Sequence, residues 1–201
     1  MPTELKMELR KMQNGGIRCL ITSVDKPIRQ MLLNRREYYE KARAYLKKAG
    51  DFDKIWIIVD SQGGSLDSAI GLTSALCMEK VPKRVLIDGC CHSAATLLLE
   101  LDAPVYMTER SSIYIHSPNR QRYKRQPDGE YQLVNTESYG MKLAKAYMVE
   151  SYKIRCKRTR KKHRKREYRQ WVEEGKRFTA AEAVEAGMAD GIMSRAEFDK
   201  G

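Results

Sequence analysis

Residues 54–61 read KIWIIVDS, a nearly continuous apolar run. A strand with one buried face alternates apolar and polar residues. One that is apolar at successive positions needs cover on both faces, and a parallel sheet flanked by helices supplies it. The neighbouring segments agree. GIRCLITSV (16–24) reads as an earlier strand, and IRQMLLNRREYYEKARAYLKKAG (28–50) has helical spacing with Lys-Lys and a glycine stop at its end. After the run, LDSAIGLTSALCMEK (66–80) is a helix with small residues on one side, and KRVLIDG (83–89) is a short strand. HSAATLLLELDA (92–103) is a helix with so little polarity that it belongs inside. APVYMTE and SSIYIHSP add two short strands, a long helix is expected at about 132–157, and TAAEAVEAGMADGI closes with a capped helix and a strand. The loop NRQRYKRQPDGEY (119–131) is polar, with Pro-Asp-Gly marking a turn. Strand alternating with helix predicts an α/β domain with right-handed crossovers.

The 201 residues suit one domain spanning 1–201, and 42% hydrophobic residues are enough for a sizeable core. No run approaches the roughly 18 uncharged apolar residues of a membrane span. MPTELKMELRKMQNGG is charged and lacks an apolar signal core, so the expected location is cytoplasmic. Five cysteines, with no C-x-x-C pair, read as free thiols of a reducing compartment. The net charge of +12 is concentrated: KIRCKRTRKKHRKREYR (153–169) holds 11 Lys/Arg and one Glu. This is one basic segment rather than a basic protein.

Three places carry chemistry. DSQGGS follows the buried strand, and paired glycines let backbone N–H groups face a phosphate or a developing oxyanion. Read alone, it is a tight strand-to-helix turn. It is neither G-x-G-x-x-G nor a P-loop, so no nucleotide, metal or other cofactor is expected. GCCHSAAT sets Ser93 between a strand and a buried helix, with small Ala94 and Ala95 after it. That has the logic of a nucleophile elbow, and the plainer reading is a serine capping a helix. His116 ends an apolar strand before Ser-Pro, at a sheet edge where parallel sheets gather their sites. His92 adjoins Ser93 but its side chain should diverge from it. His163 lies within the basic run. Neither is assigned a catalytic role.

Taken together, IWIIVDSQGGSLDSAIGL, IDGCCHSAATLLL, SSIYIHSP and RFTAAEAVEAGMADGI resemble the proteolytic subunit of Clp protease, in order and spacing, over about residues 54–193. The family's corresponding segments look like Ser-Pro-Gly-Gly, Gly-x-Ala-Ala-Ser-Met, Ile-His-Gln-Pro and Ser-Ala-x-Glu-Ala-x-x-x-Gly-Leu-x-Asp. The resemblance is to divergent, phage-type members. It implies a crotonase-like α/β fold of repeated β-β-α units with a protruding handle helix, here 132–157. It also implies a serine endopeptidase acting on peptides or unfolded proteins. Such subunits assemble as a homo-oligomeric ring, hexameric or heptameric and stacked, with an AAA+ ATPase partner.

Carried over residue by residue, the resemblance assigns Ser93 as nucleophile and His116 as general base. The amides of Gly63 and Ala94 become the oxyanion hole. Two departures follow. The family's aspartate aligns with Gly175, where no carboxylate stands; Glu174, Glu173, a backbone carbonyl or water is left to orient His116. Loss of that acid can cost about 10⁴ in rate, so a weak or silent ring subunit is the alternative reading. The proline of Ser-Pro-Gly-Gly is Gln62 here. The basic segment gives a third reading, a polyanion-binding module, set against a solvated helix face. Few aromatics accompany it, so nucleic acid is not the expected partner.

Overall fold

The computed structural model describes residues 3–12, 15–25, 35–118, 121–125, 127, 131–135 and 139–200. Strands β1 (Thr3–Lys11) and β2 (Ile17–Asp25) pair antiparallel. From β2 the sheet continues in parallel through β3 (Ile55–Ser61), β4 (Lys83–His92), β5 (Val105–Met107) and β10 (Gly191–Ile192). The apolar run is β3, and it is covered on both sides as its composition requires. Ile55, Ile57 and Val59 join the main core, while Trp56 and Ile58 pack with Leu86 and Phe198 on the other face. Phe198 comes from α6 (Arg195–Lys200), which caps that second face.

The main face is covered by α1 (Arg35–Lys48), α2 (Leu66–Met78) and a 3₁₀ helix, Ser93–Glu100. The small side of α2 has a reason. A Cβ at Gly71 would lie 2.8 Å from the Arg35 carbonyl, so a bare backbone lets α1 approach. The 3₁₀ helix is buried from Ala94 through Leu99, as its lack of polarity predicts.

Strand β4 forks, and the fork positions the site. Val85–Ile87 pair with β5, whereas Cys90–His92 pair with β6 (Ser112–Ile115), which in turn pairs antiparallel with β9 (Lys176–Thr179). Between the two halves the register with β3 shifts. Gly89 sits at the bend with φ +129°, and a Cβ there would lie 2.4 Å from the Asp60 carboxylate. Asp60 Oδ1 accepts from the Cys90 N–H (3.1 Å). The buried Ser111 hydroxyl accepts from the Gly89 N–H (3.0 Å) and donates to the Ile87 carbonyl (2.8 Å). The backbone groups freed by the shift are thereby satisfied.

Three stretches differ from expectation. Residues 3–11 form β1, where the sequence suggested no strand. The segment read as a polar loop contributes a hairpin, β7 (Gln121–Arg125) with β8 (Tyr131–Asn135); Asp128 and Gly129 of the expected turn lie outside the described residues. The long helix, α3, therefore begins at Tyr139, not near 132, and runs to Arg158. The expected helix at 28–50 is α1 from Arg35 onward; residues 28–34 lie outside the described residues. The chain continues through α4 (Lys165–Gln170), a π-turn (Trp171–Gly175) and α5 (Ala180–Ala186). Thr179 and Glu182 form the capping box of α5, and Gly187 ends it at φ +80°. Among the described residues no helix is long and apolar enough to cross a membrane.

Candidate active site

Ser93 ends β4 and opens the 3₁₀ helix with φ +53°. A non-glycine residue in the left-handed region costs about 1–2 kcal/mol and persists only where its surroundings over-determine it. They do so here. Fully buried Thr96 donates its hydroxyl to the Ser93 carbonyl (2.5 Å), and the Tyr152 hydroxyl lies 2.6 Å from Thr96 Oγ1. With the Thr96 proton committed to Ser93, Tyr152 must be the donor of the second bond. Burial pushes the Tyr152 hydroxyl above its ordinary range, which keeps that proton in place. Helix α3 thus braces the turn that carries Ser93.

The double-glycine bend lies against this turn. Gly63 has φ +92° and Gly64 +145°. A Cβ on Gly63 would stand 2.6 Å from both Ser93 Cβ and the His92 carbonyl, and 3.1 Å from the Ala94 nitrogen. No side chain fits at that position. The structure therefore brings Gly63, Ser93 and Ala94 together. The Gly63 N–H donates to Ser61 Oγ at 3.2 Å, a long bond that an oxyanion would have to displace.

His116 follows β6. The register sets His92 opposite Tyr114, so Ser93 and His116 leave the ends of adjacent parallel strands. No hydrogen bond joins their side chains among the described residues; such bonds often form only once substrate is bound. His116 Nδ1 lies 2.8 Å from the Ser117 carbonyl. Only an Nδ1–H can serve that acceptor, which leaves Nε2 as the basic nitrogen. The imidazole lies beside the Tyr114 ring, with centroids 5.2 Å apart and planes 30° from parallel.

Glu174 does not join this group. It sits exposed on the π-turn and accepts from Gln170 Nε2 (2.9 Å); no hydrogen bond from Glu174 or Glu173 reaches His116 among the described residues. Gly175, at φ +82°, is closer to the site. A Cβ there would lie 3.0 Å from the Tyr114 hydroxyl. The position that aligns with the family's aspartate thus faces a tyrosine, and no carboxylate stands there.

Sequence reasoning left His92 idle, and the structure does not. Its buried ring lies 2.9 Å from Gln62 Oε1 through Nδ1. Through Nε2 it lies 2.8 Å from Ser112 Oγ and 3.2 Å from Arg177 Nη1. Arg177 also lies over the Tyr114 ring, 4.9 Å from its centroid. Nothing in a single sequence signals this cluster, because it depends on the register beyond the fork.

The basic segment is not uniformly solvated. Arg155 is buried, ion-paired with Asp190, and donates to the carbonyls of Met188 (3.1 Å) and Ala103 (3.3 Å). Asp190 in turn accepts from the Val105 N–H (2.7 Å), which ties α3 to the β5 edge. Arg158 donates to the carbonyls of Glu100 and Leu101 (2.6 Å each), closing the C-terminus of the 3₁₀ helix. His163, Tyr168, Trp171 and Phe178 pack edge to face as a cluster. These aromatics are occupied with each other rather than presented as a stacking platform for bases.

Comparison with known proteins agrees with this geometry. Two solved structures of 1510-N, a membrane-bound stomatin-specific protease, share the fold. One is a lysine-to-alanine mutant in complex with a substrate peptide, with a TM-score of 0.58 and 14% identity, covering 83% of this chain and 74% of that one. The other is a serine-to-alanine mutant, with a TM-score of 0.59 and 13% identity, covering 83% and 78%. No curated protein sequence matches the chain. Clp protease is the family whose sequence pattern matches, over residues 37–196. With most of its length so matched, on a crotonase-like α/β frame that sets Gly63, Ser93 and Ala94 side by side, the chain belongs to the Clp protease family.

Proposed function

We propose that the chain is a serine-type endopeptidase, with Ser93 as nucleophile and His116 as general base. The observation that carries the reading is the backbone of Ser93. Its positive φ is held by a buried hydrogen-bond relay and pressed against a glycine that tolerates no side chain. A helix cap needs none of this. In the proposed reaction His116 Nε2 takes the Ser93 proton as Oγ attacks the scissile carbonyl. The amides of Gly63 and Ala94 then meet the oxygen as it gains charge, and the imidazolium returns its proton to the leaving amine. The Ser117 carbonyl holds the ring in the required tautomer, in place of a carboxylate. A carbonyl orients the ring but offsets less of the imidazolium charge, so turnover is expected to be slow.

A fluorophosphonate probe should label wild-type protein at Ser93, and Ser93→Ala should abolish both labelling and peptide cleavage, a loss of at least about 10⁴-fold. Unlabelled, folded wild-type protein would favour the silent-subunit reading, which the glycine at position 175 supports. Membership of the family and the exposed stripe Leu143, Tyr147 and Ile154 on α3 support assembly into a homo-oligomeric ring, with α3 as its handle and an ATPase as the gatekeeper. Ile154→Arg should then lower the sedimentation coefficient at fixed concentration; an unchanged value would argue against α3 as the interface.

A further inference from the structure

Two of the residues at which this chain departs from the Clp pattern around the nucleophile touch each other. Gln62 replaces the proline ahead of the double glycine, and His92 replaces the alanine ahead of the serine. We propose that His92 is a positioning residue that fixes the oxyanion bend by holding Gln62, a task otherwise performed by proline's rigid ring. The inference rests on the peptidase reading above.

A guanidinium only donates, so Arg177 Nη1, 3.2 Å from His92 Nε2, favours the tautomer in which Nε2 accepts, with the Ser112 Oγ–H (2.8 Å) as its nearer donor. The proton of the neutral ring is therefore on Nδ1, and it goes to Gln62 Oε1 (2.9 Å). Arg177 Nη1 also donates to Ser112 Oγ (3.2 Å), so the cluster closes on itself. It joins four elements: the bend after β3, the last residue of β4, the first of β6, and β9. Proline stiffens such a bend by locking φ. Glutamine cannot, and its exposed side chain would leave Gly63 on a freely hinged turn. The bond to His92 restores the constraint one residue from each proposed oxyanion donor, since Gln62 precedes Gly63 and Ser93 alone separates His92 from Ala94.

Arg177 (β9) and His116, just past β6, disfavour a charge on the ring, and Asp60 (β3) favours it. Burial and Arg177 accordingly hold His92 below the ordinary histidine range, keeping it neutral and accepting near pH 7.

Fluorophosphonate labelling kinetics of the full chain test this without a known substrate. Gln62→Ala, at an exposed position, and His92→Ala should each slow the limiting labelling rate about tenfold to a hundredfold while changing probe binding less than about threefold. The double alanine variant should be no slower than the slower single one, because both remove one interaction. Gln62→Pro with His92→Ala should recover most of the rate. The ¹⁵N spectrum of His92 should show a protonated Nδ1 at neutral pH. Additive losses, no loss in Gln62→Ala, or an Nε2–H tautomer would overturn the proposal. Wild-type protein that takes no probe at all would instead sink the peptidase reading.

Discussion

The two halves of the candidate site are built to different standards. Around Ser93 the constraints are redundant: a buried threonine and tyrosine hold its carbonyl, Gly63 fills the space behind it, and Asp60 and Ser111 fix the fork that delivers it. Around His116 the described residues give one bond to the next residue's carbonyl and one ring contact. On the proposed reading, a nucleophile and its amides must be placed to fractions of an ångström, which backbone geometry does. A base needs a tautomer and an approach, which a single acceptor can set.

The largest change should come from breaking the redundant half. Gly63→Ala forces a methyl group to within 2.6 Å of Ser93 Cβ and the His92 carbonyl, in a backbone conformation that L residues rarely adopt. It should cut the Ser93 labelling rate about 10²–10³-fold, the cost of one lost oxyanion donor. A labelling rate within threefold of wild type would show that the bend is not part of the site.

Next comes strengthening the sparse half. Gly175→Asp, at a φ that aspartate tolerates better than most residues, restores a carboxylate near the Tyr114 hydroxyl. Combined with Tyr114→Phe, it should raise peptide turnover about tenfold or more, part of the roughly 10⁴ an orienting acid can supply. Glu174→Gln should leave turnover within about twofold. If Glu174→Gln instead cost 10²-fold, the exposed glutamate would be the orienting group after all.

The mildest test sharpens the brace. Thr96→Val removes the hydroxyl between Tyr152 and the Ser93 carbonyl and takes that partner from the buried Tyr152 hydroxyl. It should cost about 1–3 kcal/mol in denaturant unfolding and slow Ser93 labelling about tenfold. Equal stability would mean that the relay contributes little.

The frame was legible in the sequence because burial on two faces leaves an unmistakable mark, as β3 and the 3₁₀ helix show. The hairpin β7–β8 was hidden by its polar composition, although Pro-Asp-Gly stands in the sequence between its strands. Strand β1 had a signal that was passed over: Leu5, Met7 and Leu9 alternate with charged residues. At the site, the double-glycine bend and the turn at Ser93 are written in adjacent residues, whereas the roles of Gly63, Ser93 and Ala94 were expected from the resemblance to the Clp family. The links among Gln62, His92, Ser112 and Arg177 span four segments that meet only through tertiary register, so no local pattern could announce them. The same holds for Arg155, whose charge suggested solvent and whose partners lie in two other segments.

The forked strand has a last consequence, for which changes the chain can survive. Side chains on a strand alternate between faces, so removing one residue from Asp88–Cys90 would exchange inside for outside all the way to the elbow. The His92 imidazole would move into the sealed place of the Cys91 thiol, and Ser93 would be aimed elsewhere. Apart from Gly89, whose bend admits no side chain, the number of residues in this stretch matters more than their identity: substitutions should be borne, but no insertion or deletion.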